Sequence, residues 1–304
     1  MDTVKYSYYE MKFKLAYLEK RGNEFQDFFS ELMEKCHPGN FQRVRPWGKI
    51  GDRKNDGYLR SERVIFQVYA PNEMEAIEAI AKIRKDFQGA LRYWHAYLDK
   101  WVFVHNARDG LGPDVLGILL ELQASHPSVS ICSWGFEELR QKAFSLNEAD
   151  LASLLGGYAP SSKDMLDVQY NNVQEVLHNI ARQKLPLFQD IRQVPPGKLK
   201  FNRLSENVQI LLTSGMWKAD LVGNFFNDHP HPQYGDEIAL AFNNQYKKYK
   251  MLNMEPDIIF SKLQEFAGGV EMGNPAHQAA ALAVLAYLFE QCEIFERSPE
   301  EVTP

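Results

Sequence analysis

Cysteine is scarce: Cys36, Cys132 and Cys292 are the three thiols in 304 residues, too few and too scattered for a disulfide framework or a zinc knuckle. No run approaches the ~18 consecutive apolar residues that a membrane helix needs. The opening residues, Met1 to Lys5, lack the apolar segment of a signal peptide. There is no internal repeat and no low-complexity tract. These absences together point to a reduced cytoplasm and a folded, membrane-free protein. What is present agrees: 45% hydrophobic and 24% charged residues exclude wholesale disorder, and the length suits one large domain or two ordinary ones.

The net charge of −6 is unevenly spread. Residues 1–100 carry 18 Lys and Arg against 15 Asp and Glu, whereas residues 251–304 carry 2 against 9. The acidic C-terminal end therefore suits protein contacts better than nucleic acid, and any grip on nucleic acid belongs to the N-terminal part.

Periodicity divides the chain similarly. Phe25, Phe28, Phe29, Leu32, Met33 and Cys36 recur at helical spacing until His37-Pro38-Gly39, which predicts a helix over 22–36. Phe41 to Trp47, Asp56 to Leu59 and the β-branched, aromatic run Val64 to Ala70 read as a meander of three strands. A helix then opens at Pro71-Asn72, with Met74, Ile77, Ile80, Ala81, Arg84 and Phe87 on one face. Trp101 to His105 reads as a strand, Val115 to Leu122 as a helix and Val129 to Cys132 as a strand. Gly156 to Ser162 has the composition of a linker. Beyond it the periodicity is helical throughout, with Ser205 and Asp257 as N-caps, Gly215, Gly268 and Gly269 as stops, and Ala276 to Phe289 apolar on nearly every side.

The expected fold is therefore a mixed α/β sheet flanked by helices in residues 1–155, followed by an all-α domain in residues 163–304.

Chemistry concentrates in Gly51-Asp52-Arg53-Lys54-Asn55-Asp56-Gly57 and Phe66-Gln67-Val68-Tyr69. Asp56 and Gln67 are 11 positions apart, which suits a hairpin turning near Arg60-Ser61-Glu62, and Gln67 and Tyr69 share a strand face. A carboxylate beside a second oxygen ligand at a sheet edge is what a Mg²⁺ site for phosphodiester hydrolysis requires. Glu24, Asp27, Glu31 and Glu34 form an acidic stripe on the first helix, for which a solvated face is the better account. His229 and His231 flank proline in a stiffened loop, and the segment around Gly215 offers one basic residue, so neither a metal site nor a DNA-reading helix pair is expected there.

The order of elements and the Asp56/Gln67 pair resemble the PD-(D/E)XK nuclease superfamily, in the branch with Gln-x-Lys. The spacing of Gly51, Asp52 and Asp56 is similar to that of its methylation-dependent restriction enzymes. The resemblance implies a restriction-endonuclease-like fold and a Mg²⁺ (or Mn²⁺) ion held by Asp56 and Gln67, with Asp52 and Glu24 as further candidate ligands. It expects lysine two residues after Gln67, where this chain has Tyr69. Three accounts stay open: a lysine arriving from elsewhere, Lys54 or Lys100 before Lys82 or Lys85; Tyr69 itself handling a proton; or a degenerate, non-catalytic site. In the nuclease superfamily the first helix often supplies a Glu after a Phe, a slot held here by Gln26.

A second resemblance covers most of the chain. Gly51 to Tyr58 with Phe66 to Pro71, Pro196 to Ser205, and Ala281 to Glu296 are similar to the ABC-three-component family of bacterial defence proteins, which includes Lamassu systems. It implies an effector subunit partnered by an SMC-like ATPase and a small middle subunit, with double-stranded DNA as substrate. Homo-oligomerisation on activation is compatible with such gating. Residues 1–155 would then be the nuclease and residues 163–304 the module that docks on the partner proteins.

Overall fold

The computed structural model describes residues 1–45, 53–181, 198–268, 273–291 and 293–296. Asp52, Trp47, Cys292 and the pair Pro196-Gly197 lie outside them. The chain forms two compact units: Ala16–Leu154, and Met1–Leu15 together with Leu155–Pro304. The first fifteen residues, counted with the N-terminal part on sequence grounds, thus cluster with the C-terminal one.

Within Ala16–Leu154 the described residues form a five-stranded sheet in the order β1 (Phe41–Arg43), β2 (Gly57–Leu59), β3 (Val64–Tyr69), β4 (Lys100–His105) and β5 (Ser130–Trp134). β1–β2 and β2–β3 are antiparallel, and β3–β4 and β4–β5 are parallel. Helix α3 (Ala76–Trp94) crosses from β3 to β4, and α4 (Pro113–Ser125) from β4 to β5. Parallel pairing needs such crossovers. Ile65, Trp101 and Phe103 meet Ala79, Ile83, Phe87 and Ala90 of α3 and Val115, Leu119 and Leu122 of α4. On the other face Phe66 packs 5.3 Å from Phe29 of α2 (Gly22–Cys36) and 5.1 Å from Trp134, ring centre to ring centre. The result is a mixed sheet between helical layers.

The inward stripe of α3 differs from the expected one. Ala79, Ile83, Phe87 and Ala90 face the core, while Ile77 is 84% exposed. Phe87 lies in both stripes, and Met74 and Ile80 pack partly against the core; Ile77, Ala81 and Arg84 face outward, and the small Ala79 and Ala90 allow α3 to lie close to the sheet.

The other unit is helical. Its descending part comprises α7 (Ser162–Asp167), α8 (Tyr170–Ala181), α9 (Lys198–Phe201), α10 (Glu206–Met216), α11 (Ala219–Asp228), α12 (Tyr234–Met251), α13 (Pro256–Gly268) and α14 (Pro275–Glu290). α14 is central: residues 277–286 are all buried, and α7, α8, α10, α11 and α13 pack around it. Gly215 lies inside α10 rather than ending it. A Cβ there would strike the carbonyl oxygen of Leu282 and lie 2.9 Å from Ala286 Cβ, so glycine permits a close helix crossing. Ser205 caps α10 as expected, but Asp257 is the second residue of α13, where its carboxylate accepts from Lys14 Nζ (3.0 Å) and Ser205 N (2.9 Å).

The sequence periodicity passed over three helices: α1 (Thr3–Glu19), α5 (Phe136–Phe144) and α6 (Glu148–Leu155). α1 buries Val4, Tyr8, Tyr9, Met11, Phe13, Leu15 and Tyr17, a set spread around the helix that leaves no apolar stripe. No helix among the described residues is long and apolar enough to cross a membrane.

Candidate functional site

The carboxyl edge of β3 gathers the polar residues. Asp56 immediately precedes β2, and its backbone N–H donates to Phe66 O (2.9 Å), which places it opposite Gln67. It is 5% exposed and Gln67 is 3% exposed. Three N–H groups fix the carboxylate: Gln67 Nε2 donates to Oδ2 at 2.6 Å, the Val68 N–H to Oδ2 at 2.7 Å, and Gln26 Nε2 of α2 to Oδ1 at 2.8 Å. A carboxylate held this far from water needs such donors, and two elements and a backbone amide supply them. Gln67 Oε1, by contrast, is buried and has no hydrogen-bond partner among the described residues. The two polar side-chain atoms of Asn55, fully buried beside Asp56, are also without one among the described residues.

The remaining candidates fall in different places. Glu24 is exposed in the first turn of α2, and it is Gln26, two residues on, that reaches Asp56. The rest of the acidic stripe is ion-paired at the surface: Arg43 meets Asp27 (3.2 Å) and Glu34 (3.0 Å), Arg45 meets Asp27, and Lys35 lies 3.8 Å from Glu31. Asp52 lies outside the described residues.

Lys54 lays its stem over Gly89 of α3 and brings Nζ to 3.0 Å from Asp86 Oδ1. Lys82, four residues before Asp86, pairs with its other oxygen. Asp86 is 1% exposed, so two lysines converge on a buried acid. Lys82 Nζ also lies 5.7 Å from the centre of the Tyr69 ring. Lys82, which the sequence ranks behind Lys54 and Lys100, is thus the lysine over Tyr69, because the inward stripe of α3 turns it toward β3. An acid beside Phe87 in an otherwise apolar stripe was the signal that could have found this cluster.

Tyr69 packs 6.1 Å from Phe103, ring centre to ring centre, and its phenol is pushed up from its ordinary value, first by burial and then by Glu78 and Glu75. It stays protonated at neutral pH and can donate a hydrogen bond but not take a proton.

His105, at the end of β4 beside Tyr69, is pushed down to about 4 by burial, so it is neutral at pH 7. Its Nδ1 accepts the Ala107 N–H (3.2 Å), and Gly135 leaves room for its ring.

Among the described residues no group of three His, Cys, Asp or Glu side chains could hold a metal. His229 stacks 4.0 Å from Tyr234, and His277 Nε2 lies 2.9 Å from Gly268 O. Cys36 and Cys132 are free and half-buried rather than core. The donor set at Asp56 nevertheless fits one hard cation. Mg²⁺ is bound through one or two carboxylates and keeps several waters, and Gln67 Oε1, without a hydrogen-bond partner among the described residues, would be available as a second oxygen ligand.

Residues 171–296 match the family model of C-terminal domain 10 of the ABC-three component (ABC-3C) systems. The matched stretch begins in α8 and runs past α14, so it takes in that helix with α8, α10, α11 and α13 packed on it, but not α7. It supports membership of an ABC-3C system, which is an assembly of several subunits. No curated protein and no solved structure matches the chain.

Proposed function

We propose that the chain is the effector subunit of an ABC-3C defence complex, a metal-dependent DNA endonuclease activated by an SMC-like ATPase partner. One observation carries the nuclease part: a buried carboxylate, Asp56, fixed by three N–H donors beside the orphaned amide oxygen of Gln67, at the edge of a mixed sheet. The order helix, three antiparallel strands, crossover helix and parallel strand supports a restriction-endonuclease-like core.

Asp56 and Gln67 would hold the Mg²⁺ or Mn²⁺. Bound there, the ion supplies charge stabilisation as negative charge builds on the phosphoryl oxygens. Gln26 and the Val68 N–H keep the carboxylate in one orientation. Lys82 or Lys54 would assist the water, in place of the lysine that Tyr69 replaces, and the Tyr69 phenol can donate to a phosphate oxygen. An acidic helical C-terminal unit suits docking on partner proteins.

A second reading, a nuclease fold without catalysis that serves as a scaffold or sensor in the same complex, is favoured by one feature. Both nearby lysines are engaged at Asp86, and the motif position holds a protonated tyrosine.

Asp56→Ala separates the two readings. In the presence of the partner proteins it should reduce Mg²⁺-dependent plasmid cleavage to background and abolish defence, with an unchanged circular dichroism spectrum. Full defence by Asp56→Ala would establish the scaffold.

A further inference from the structure

A cavity of about 420 Å³ opens between the loop after β3 and the loop after β4. Arg21, Asn72, Asn106, Arg108, Asp109 and Gly112 line it, two arginines against one acid. It sits where the parallel strands β3 and β4 end, the edge at which open α/β sheets take ligands. Its volume falls within the range of small-molecule sites.

Arg21 is the first of two observations that point to an anion. It stands at the start of α2, whose Gly22 N–H donates to Ala70 O (2.7 Å) just beyond β3. Its Nη1 donates to Lys20 O (2.8 Å), and among the described residues no carboxylate pairs with it. Asn106 Nδ2 donates to the same carbonyl (3.3 Å), tying Arg21's anchor to the β4 loop. A half-buried guanidinium lining a cavity with four N–H donors left over is suited to a planar, multiply accepting anion.

Gly112 is the second. Its backbone, φ −63 and ψ 161, is one any residue adopts, and no atom lies within 4 Å of a Cβ built on it. Neither conformation nor packing demands glycine there. What glycine provides is open space against the backbone, which lets a ligand approach it closely. The uncapped first turns of α3 and α4 add N–H groups on the same side.

We propose that this cavity is a phosphate-binding subsite. As a hold on the DNA strand it rests on the nuclease reading: α2 gives Arg21 to the cavity and Gln26 to Asp56, and β3 gives Gln67 to Asp56 and leads into Asn72. A strand whose phosphate is held at Arg21 therefore passes close to Asp56. A free nucleotide carries the same phosphate chemistry.

The test uses the full chain in EDTA, so that nothing is cut. Binding of a labelled duplex is followed by fluorescence anisotropy across a salt series, and binding of AMP and inorganic phosphate by calorimetry. Arg21→Gln and Gly112→Val are compared with wild type, with thermal melts showing that each folds. Both variants should weaken the duplex about tenfold, and Arg21→Gln should lower the slope of log K against log salt by about 1. Arg21-dependent binding of AMP or phosphate without duplex binding would assign the cavity to a free nucleotide. Wild-type affinity and salt slope in both variants, for every probe, would overturn the subsite. Arg21-dependent duplex binding by a protein that never cuts with Mg²⁺ would leave the subsite standing and remove the nuclease reading instead.

Discussion

At the scale of single residues the decisive arrangement is Asp86 between Lys54 and Lys82. Removing one lysine leaves the acid paired and should cost little stability. Removing both leaves a buried, unpaired carboxylate, a change worth roughly 3–5 kcal/mol. The single variants Lys54→Met and Lys82→Met should therefore melt near wild type, and the double variant far lower. On the proposed nuclease reading, catalysis should separate the singles: a lysine that handled the proton would cost cleavage about 10²-fold when lost, the usual range for a general acid–base group. On the same reading Tyr69→Phe should be mild, because a phenol that stays protonated would serve only as a donor. A severe loss in Tyr69→Phe with both lysine variants active would transfer the proton step to the phenol.

His105 gives a second residue-scale expectation, with a definite sign. Its folded value is depressed to about 4 from the ordinary 6.5, so between those pH values the unfolded chain binds the proton and the folded chain does not. Its contribution to stability is therefore complete above pH 6.5 and is lost as pH falls toward 4, by on the order of 3 kcal/mol. Urea midpoints measured at pH 7 and pH 4.5 should fall less in His105→Gln than in wild type. Equal falls would show that the buried ring does not drive acid sensitivity.

At the scale of elements, what the sequence discloses is what repeats. α2 carries a clear apolar stripe, and β3 a β-branched, aromatic run. The pairing of Asp56 with Gln67 follows from their spacing about a short turn, and the structure brings the two together. α1 stayed hidden because it is buried on too many sides to show a stripe. The orientation of α3, and with it the place of Lys82, turns on whether the inward stripe runs through Ala79, Ile83 and Ala90 or through Ile77 and Arg84. Spacing cannot decide that; packing distance does. Gly215 read as a helix stop for a similar reason, since nothing local distinguishes a glycine that ends a helix from one that admits a neighbour. The difference is testable. Gly215→Ala should destabilise by about 1–3 kcal/mol through the clash with the Leu282 carbonyl, because overpacking against backbone cannot relax by a rotamer change. Gly223→Ala in α11 meets only the movable Tyr287 ring at 3.3 Å and gains helix propensity of up to ~1 kcal/mol, so its melting temperature should hold or rise. Reversed effects in the pair would show that the α10–α14 crossing is looser than the geometry requires.

At the scale of the whole molecule, the family match lies in residues 171–296, yet the compact unit around it also includes Met1–Leu15. Within that unit Tyr9 OH accepts the Ala159 N–H (3.1 Å), Lys14 Nζ lies 3.0 Å from Asp257, and Lys12 Nζ lies 3.6 Å from Glu265. Val4, Tyr8, Tyr9, Met11, Phe13 and Leu15 are buried, each worth about 1.5–3 kcal/mol before chain ordering is subtracted. This partnership between distant stretches of chain leaves no trace in local periodicity, which is why the sequence alone groups residues 1–15 with the N-terminal domain. A fragment of residues 155–304 should consequently be unstable or aggregate through the surface that α1 covers. A peptide of residues 1–15 should restore a cooperative melt, and the same peptide carrying Tyr9→Ala and Phe13→Ala should not. If the fragment alone melts as cooperatively and at as high a temperature as with the peptide, residues 1–15 are an accessory to the helical unit rather than part of its core.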